Sequence, residues 1–248
     1  CLWMESNNYV CGRTNNPYDP SRTVGGSSGG EGAIVGAGAS PFGLGSDIGG
    51  SIRMPAFFNG VFGHKPTGGL VPATGQYPKA SGAALRSLTT GPLCRRATDL
   101  MPLLEIMAGP DGHDEGCIPF ELGRPADVDV PSLRILNLAK IDGLPVHPSL
   151  AHRQALLVDW FKRQGARVEE IELPAMKHSF EIWAAMMGEA GGESFRVMMG
   201  QGHEVNPFKE LLKWSIGKSD HTAMASLLGI SEGVVDLLPG RAKRMAPL

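Results

Sequence analysis

The stretch from Gly25 to Pro55 constrains this chain more than any other part of its sequence. It contains two glycine-rich turns that each carry serine, Gly25–Gly30 and Ile48–Ser51. Because glycine allows positive φ and close backbone approach, a hydroxyl and unpaired N–H groups can face the same small space. The residues between the turns predict a helix followed by a strand, which would place both turns at adjoining ends of packed elements. We therefore interpret the stretch as a candidate active site.

Local patterns predict the elements inside this stretch. Ser28 and Glu31 have the spacing of a capping box, which predicts a helix start at Ser28. The helix over Gly29–Ala39 is built from small residues, so its intrinsic propensity is poor but it can pack closely, and we expect it to be buried. A strand is predicted over Phe42–Asp47, and a second helix begins at Ser51.

Outside this stretch the sequence predicts an α/β fold. The predicted elements are loops and short strands over 61–91, a helix over 98–107 that Thr98 caps, a loop over 111–131, a strand over 133–139, a helix over 148–164 and a strand over 167–173. A strand-helix-strand order is typical of two parallel strands in one sheet.

The C-terminal third predicts helices and is rich in methionine. Phe180, Trp183, Ala184 and Met187 share one face of a helix, and Asn206-Pro207 supplies a helix start. Two methionine pairs lie here, at 186–187 and 198–199. Methionine suits either a helix core or the wall of a channel for an acyl chain, and the helical periodicity favours the core.

The length and hydrophobic content suit one large domain or two small ones. Residues 1–110 would hold the two serine turns, residues 111–173 would continue the sheet, and residues 174–248 would be helical.

Composition excludes several classes of function. The formal charge is −2 and no basic patch is interleaved with aromatic residues, so nucleic acid is not expected as a partner. Four scattered cysteines and seven histidines show no metal-ligand spacing, so we expect no metal and no cofactor. There is no secretory signal and no apolar run near the ~20 residues that span a bilayer, which favours an intracellular protein.

The residues of the two turns suggest nucleophilic catalysis. The backbone N–H groups of Ile48, Gly49, Gly50 and Ser51 can converge on one oxygen, as in an oxyanion hole, which makes Ser51 the better nucleophile. A serine nucleophile needs a base, and Ser27 can relay a proton because a hydroxyl both donates and accepts.

The same residues carry a specific resemblance. Gly26–Gly30, Gly45–Pro55 and Gly63–Thr67 resemble the signature of the amidase signature family. Cys1–Ser6 and Asn15–Asp19 are similar to fatty acid amide hydrolases of the second type within that family.

This resemblance implies one partial amidase domain over 1–248, with a mixed β-sheet core flanked by helices. It also implies a Ser-cisSer-Lys triad and a lipid amide as substrate. Ser51 would attack the amide carbonyl, Ser27, after a cis peptide, would relay the proton, and a lysine would act as base and then acid. Ser28 would support this network, and from the residues alone we expect Asp47 and Arg53 to hold the second turn. The implied substrates are N-acylethanolamines and primary fatty amides.

The sequence also departs from the family pattern. The family's lysine precedes the first serine, whereas no lysine here precedes Lys65, which matches a structural lysine of the family. The chain is therefore expected to be an excerpt that lacks its base and a C-terminal part. Association of the full-length protein with a membrane or lipid droplet, and a homodimer, are further expectations.

Three alternatives stay open at this point. Gly25–Gly29 also fits the G-x-S-x-G elbow of α/β-hydrolases, in which Ser27 would be the nucleophile of an esterase. Within the amidase signature family, the amidase component of a glutamyl-tRNA amidotransferase would pass ammonia to a charged tRNA. The chain could also be an inactive fragment that only binds a lipid or a partner.

Overall fold

The computed structural model describes residues 4–77, 84–141, 143–179, 181–183, 186 and 194–237. Of these, the residues up to Leu122 and those from Met186 onward form one compact unit, and the residues that start at Gly123 form a second. The first unit has a three-stranded antiparallel sheet with helices and the second a parallel strand pair. The predicted α/β class is confirmed.

Helix α1, Gly29–Gly36, is buried on one face only, because Gly30 and Ile34 are exposed, so the predicted burial is confirmed in part. It lies against helix α2, Arg53–Phe58, so closely that a Cβ on Gly32 would come within 2.7 Å of Asn59 Nδ2. Helix α1 ends before the predicted Ala39, because Gly38 adopts φ +75° and its N–H turns back to Val35 O. The small residues are therefore required by packing rather than by helix propensity.

The sheet of the first unit contains strands β3, Phe42–Asp47, β4, Phe62–Gly63, and β5, Thr89–Cys94, in the order β3-β5-β4. Both pairs are antiparallel, with Phe42 and Phe62 each opposite Cys94. The predicted bounds of β3 are confirmed. The central strand β5 runs three residues beyond the predicted region of short strands over 61–91 and contains Pro92, although proline is normally confined to edge strands.

The remaining elements of the first unit surround this sheet. They are strands β1, Asn7–Asn8, and β2, Gly12–Arg13, and helices α3, Ala84–Ser87, α4, Leu100–Met107, α6, Phe195–Met199, α7, Pro207–Ser215, and α8, Ala223–Leu237. The predicted cap of α4 is wrong, because Thr98 lies inside a preceding 3₁₀ turn and its hydroxyl contacts Asp99 instead.

The predicted start of α7 is confirmed. Asn206 Oδ1 accepts hydrogen bonds from the N–H groups of Phe208 and Lys209, both at 3.1 Å. The helix face predicted further upstream involves Phe180, Ala184 and Met187, which lie outside the described residues. No described helix is long and apolar enough to cross a membrane.

The second unit contains the predicted strand-helix-strand order. Strands β6, Arg134–Asn137, and β7, Arg167–Glu170, are parallel, and helix α5, Pro148–Arg163, connects them. Asn137 Nδ2 donates to both carboxylate oxygens of Glu170 at 2.8 Å, and its own side-chain oxygen accepts from Gln154. This polar network ties the helix to the ends of both strands.

Candidate active site

The first serine turn is held against helix α2. Gly25 adopts φ +74°, and a Cβ there would come within 2.8 Å of the Phe58 ring, so only glycine fits. The peptide bond between Gly26 and Ser27 is cis, as the family resemblance implies. Ser27 then faces a cavity, which is described below.

Ser28 connects the first turn to the second. Its N–H donates to Ser51 O at 3.2 Å, and its hydroxyl lies 3.3 Å from the N–H and 3.4 Å from the carbonyl oxygen of Ser46. The predicted capping box with Glu31 is therefore wrong, since the Ser28 side chain bonds strand β3 and not the helix start. Ser28 thus bonds both turns, and its supporting role in catalysis stays a prediction.

Asp47 holds the second turn. This carboxylate has no exposed surface and accepts hydrogen bonds from the backbone N–H groups of Gly50 at 2.8 Å, Ile52 at 3.0 Å and Arg53 at 3.2 Å. The Arg53 guanidinium adds two further bonds at 2.9 and 3.0 Å. Asp47 and Arg53 thus form an ion pair that holds the second turn, as expected, and three backbone donors contribute as well.

These contacts determine the charge of Asp47. Burial opposes ionisation, but the bonds from Arg53 and from the backbone outweigh it and hold the pKa of Asp47 below its ordinary 3.8. In return, the hydrogen bond to Asp47 raises the pKa of Arg53. The turn that carries Ser51 is thus built on a charged pair that stays ionised at neutral pH.

The predicted set of oxyanion donors needs one correction. Gly50 N–H already donates to Asp47 Oδ1, so it is engaged in holding the turn and is not free for a substrate oxygen. Within the part of the chain that the structure describes, the N–H groups of Gly49 and Ser51 have no hydrogen-bond partner. These two N–H groups stay predicted donors for an oxyanion, and Ser51 itself is 9% exposed.

Lys65 lies near this charged pair. Burial lowers the pKa of its ammonium below 10.5. The negative charge of Asp47 partly opposes this decrease, and the positive charge of Arg53 lowers the pKa further. Among the described residues, no hydrogen bond joins Lys65 to Ser27 or Ser51. The structure therefore offers no contact by which Lys65 would act as their base.

A cavity of about 500 Å³ opens beside Ser27. Most of its wall is apolar and comes from helices α6, α7 and α8. The lining residues are Glu5, Asn7, Tyr9, Ser27, Tyr77, Phe195, Met198, Met199, Trp214, Thr222, Ala223, Met224, Ala225 and Leu228. Met198 and Met199 thus line a cavity. For this pair, the wall of a channel is therefore a better interpretation than the helix core that periodicity favoured. Of the other pair, Met187 lies outside the described residues.

Sequence reasoning did not identify the polar part of this wall. Glu5, Asn7 and Tyr9 belong to the hairpin of β1 and β2 or adjoin it, and Tyr77 comes from a loop. None lies in a motif, and only the tertiary fold brings them to Ser27. The described residues contain no group of three or more histidine, cysteine, aspartate or glutamate side chains that could hold a metal ion.

Comparisons with known proteins agree with this geometry. The family model for amidases matches residues 1–227. Fatty-acid amide hydrolase 2-A of Danio rerio is 46% identical over 243 residues, which cover 94% of this chain and 44% of that protein. Indoleacetamide hydrolase of Bradyrhizobium diazoefficiens is 39% identical over 182 residues, which cover 72% of this chain and 34% of that protein.

A solved structure of a fatty acid amide hydrolase superimposes with a TM-score of 0.66 at 25% identity, covering 95% of this chain and 42% of that one. The chain belongs to the amidase family. It spans less than half the length of the fatty-acid amide hydrolases to which it is similar.

Proposed function

We propose that the whole protein hydrolyses fatty acid amides, with Ser51 as nucleophile, and releases a fatty acid and an amine or ammonia. The observation that carries this proposal is the cavity: a relay hydroxyl, Ser27, lies at one wall, while the rest of the wall is mostly apolar. Flexible methionines such as Met198 and Met199 suit an unbranched acyl chain. The similarity to fatty-acid amide hydrolase 2-A supports the same substrate class.

The proposed reaction proceeds in two steps. Ser51 Oγ attacks the amide carbonyl while its proton passes through Ser27 to a lysine, and the carbonyl oxygen becomes an oxyanion near the N–H groups of Gly49 and Ser51. The lysine then protonates the departing nitrogen, and water cleaves the acyl-enzyme. No residue in 1–64 supplies this lysine, so the proposal requires it elsewhere in the whole protein.

Release of fatty acid from a long-chain primary amide and from the ethanolamide of the same acid tests the proposal directly. Glutamine is the discriminating substrate, because a glutamyl-tRNA amidotransferase would take ammonia from a small polar donor. Hydrolysis of glutamine without hydrolysis of either lipid amide would overturn the proposal in favour of the amidotransferase alternative. The α/β-hydrolase alternative lacks support, since no described strand leads into Ser27.

Replacing Ser27 by alanine is expected to lower kcat by about a hundredfold or more, because positioned proton transfer contributes roughly that factor. The hydroxyl makes no hydrogen bond with the described residues, so folding should be little affected. Steady-state kinetics on the primary amide measure the effect. A kcat within about threefold of the unmodified enzyme would remove Ser27 from the proposed relay.

We further propose that the helical, methionine-rich C-terminal third contacts a lipid surface. Helix α7 exposes apolar side chains on one face, Phe208 at 61% and Leu212 at 70%, next to the basic Lys209. Its Trp214 lines the cavity. An apolar helix face flanked by lysines is suited to the surface of an anionic membrane, and here it would lie beside the cavity that takes the lipid.

Changing both Phe208 and Leu212 to serine is expected to reduce binding to vesicles of phosphatidylcholine and phosphatidylserine by about tenfold or more, because two apolar contacts with lipid are lost. Vesicle flotation measures the bound fraction. Ile106→Ser is the control, since Ile106 is 81% exposed on helix α4, which supplies none of the residues that line the cavity. Equal flotation of the double variant and the control would contradict the assignment to α7.

A further inference from the structure

One wall of the cavity carries a charge that a purely apolar substrate would not require. Glu5 is the one residue with a formal charge among the described residues that line the cavity. Tyr9, also on this wall, already donates its hydroxyl to His221 O at 2.8 Å. Glu5 is therefore the group on this wall with the strongest influence on the charge of a bound molecule.

The segment that carries Glu5 is fixed against the first serine turn. A Cβ on Gly29 would lie only 2.8 Å from Ser6 Cβ, so the two backbones are in close contact. The Ser6 and Thr14 hydroxyls lie 2.9 Å apart, and Thr14 N–H donates to Ser6 O at 2.9 Å. These contacts hold Glu5 on the side of the cavity that adjoins Ser27.

Glu5 forms an ion pair whose anionic member faces the cavity. Its carboxylate lies 2.9 Å from Arg13 Nε, and the Arg13 and Glu5 side chains are 42% and 31% exposed. Arg13 is not a lining residue, whereas Glu5 is. A substrate in the cavity is consequently next to Glu5 and not next to Arg13, and the guanidinium reduces the field of the carboxylate.

The proposed function decides which part of a substrate meets this wall. The acyl chain requires the apolar wall of α6 and α8, and the amide carbonyl lies at the serines. The amine part of the amide is left for the polar wall that adjoins Ser27.

We propose that Glu5 sets the charge selectivity of the enzyme for the amine part of its substrate; this inference rests on the proposed amidase function. Primary amides and ethanolamides, whose amine parts are neutral, are accepted. Fatty acid conjugates of amino acids, whose amine part ends in a carboxylate, are disfavoured, because like charges in a partly desolvated site repel each other. Arg13 moderates this discrimination.

The test compares kcat/KM of the whole protein for the ethanolamide and the glycine conjugate of one fatty acid. Glu5→Gln is expected to raise kcat/KM for the glycine conjugate relative to that for the ethanolamide by about tenfold. Arg13→Gln is expected to lower this ratio below that of the unmodified protein. Both variants break the same ion pair. If the ion pair only stabilised the structure, both variants would therefore change the ratio of the two kcat/KM values in the same direction.

Three outcomes are informative. Opposite shifts in the two variants support the proposal. An unchanged ratio, or shifts in the same direction, in an enzyme that still hydrolyses the ethanolamide overturns charge selection by Glu5 and leaves the amidase function standing. Absence of hydrolysis of every lipid amide by the unmodified whole protein overturns the proposed function and this inference together.

Discussion

Replacing Ser51 by alanine is expected to abolish amide hydrolysis, lowering kcat by about 10⁴-fold or more, because no acyl-enzyme can form without the nucleophilic oxygen. The protein should fold normally. Ser51 contributes its backbone carbonyl oxygen to the bond from Ser28 N–H, and alanine keeps that carbonyl. Release of fatty acid by the whole protein, measured beside its thermal unfolding, separates loss of chemistry from loss of structure.

A fluorophosphonate probe identifies the nucleophile independently of turnover. We expect the probe on Ser51, located by mass spectrometry of peptides, and no labelling in Ser51→Ala. Ser132→Ala is the matched control, since Ser132 is an exposed serine whose hydroxyl only bonds Asp129 O. Labelling of Ser27 in the unmodified protein would reverse the two roles and contradict the proposed mechanism.

The part of the fold that follows from local pattern was predictable. The bounds of β3 and the Asn206 cap of α7 each depend on residues close in sequence. The bounds of strand β5 could not be predicted in this way. It contains Pro92, and what makes it a strand is pairing on both sides with β3 and β4, which are distant in the chain.

At the candidate site, too, local pattern predicted some features, while others depend on residues that are distant in the sequence. The two turns and Ser51 follow from the glycine pattern, whereas the bonds of individual N–H groups do not. Gly50 N–H could serve a substrate or Asp47 equally well on sequence grounds, and the buried carboxylate needs it. Ser28 likewise bonds Ser46 across 18 positions instead of its own helix start. Local motifs thus located the two turns but not their hydrogen bonds.

Exchanging Asp47 for asparagine is expected to lower the free energy of unfolding by about 3 kcal/mol, since an amide group cannot accept from all the donors that the carboxylate satisfies. Gly50 and Ile52 donate to different oxygens of Asp47, so the amide nitrogen would face a backbone N–H in either orientation. Chemical denaturation measures the loss, and Asp127→Asn is the control. Asp127 also pairs with an arginine but is exposed, so little change is expected there.

The pH dependence distinguishes the lost charge from a general packing defect. Because the pKa of Asp47 is lower in the folded than in the unfolded state, the carboxylate stabilises the fold above its ordinary pKa of 3.8, and this contribution disappears as the pH falls through the folded value. The difference in stability between the unmodified protein and Asp47→Asn should therefore shrink between about pH 5 and pH 2. A difference that stays constant with pH would show that the charge of Asp47 does not hold the turn.

The Asp47→Asn substitution should also lower the rate of amide hydrolysis. Asp47 fixes the turn whose Gly49 and Ser51 N–H groups are proposed to bind the oxyanion, and a misplacement of about 1 Å in such a site can cost about a hundredfold in rate. We expect kcat to fall by about that factor while KM changes little, because the apolar wall of the cavity is built from other elements. A rise in KM with kcat unchanged would mean that Asp47 shapes the binding of the substrate and not the site of attack.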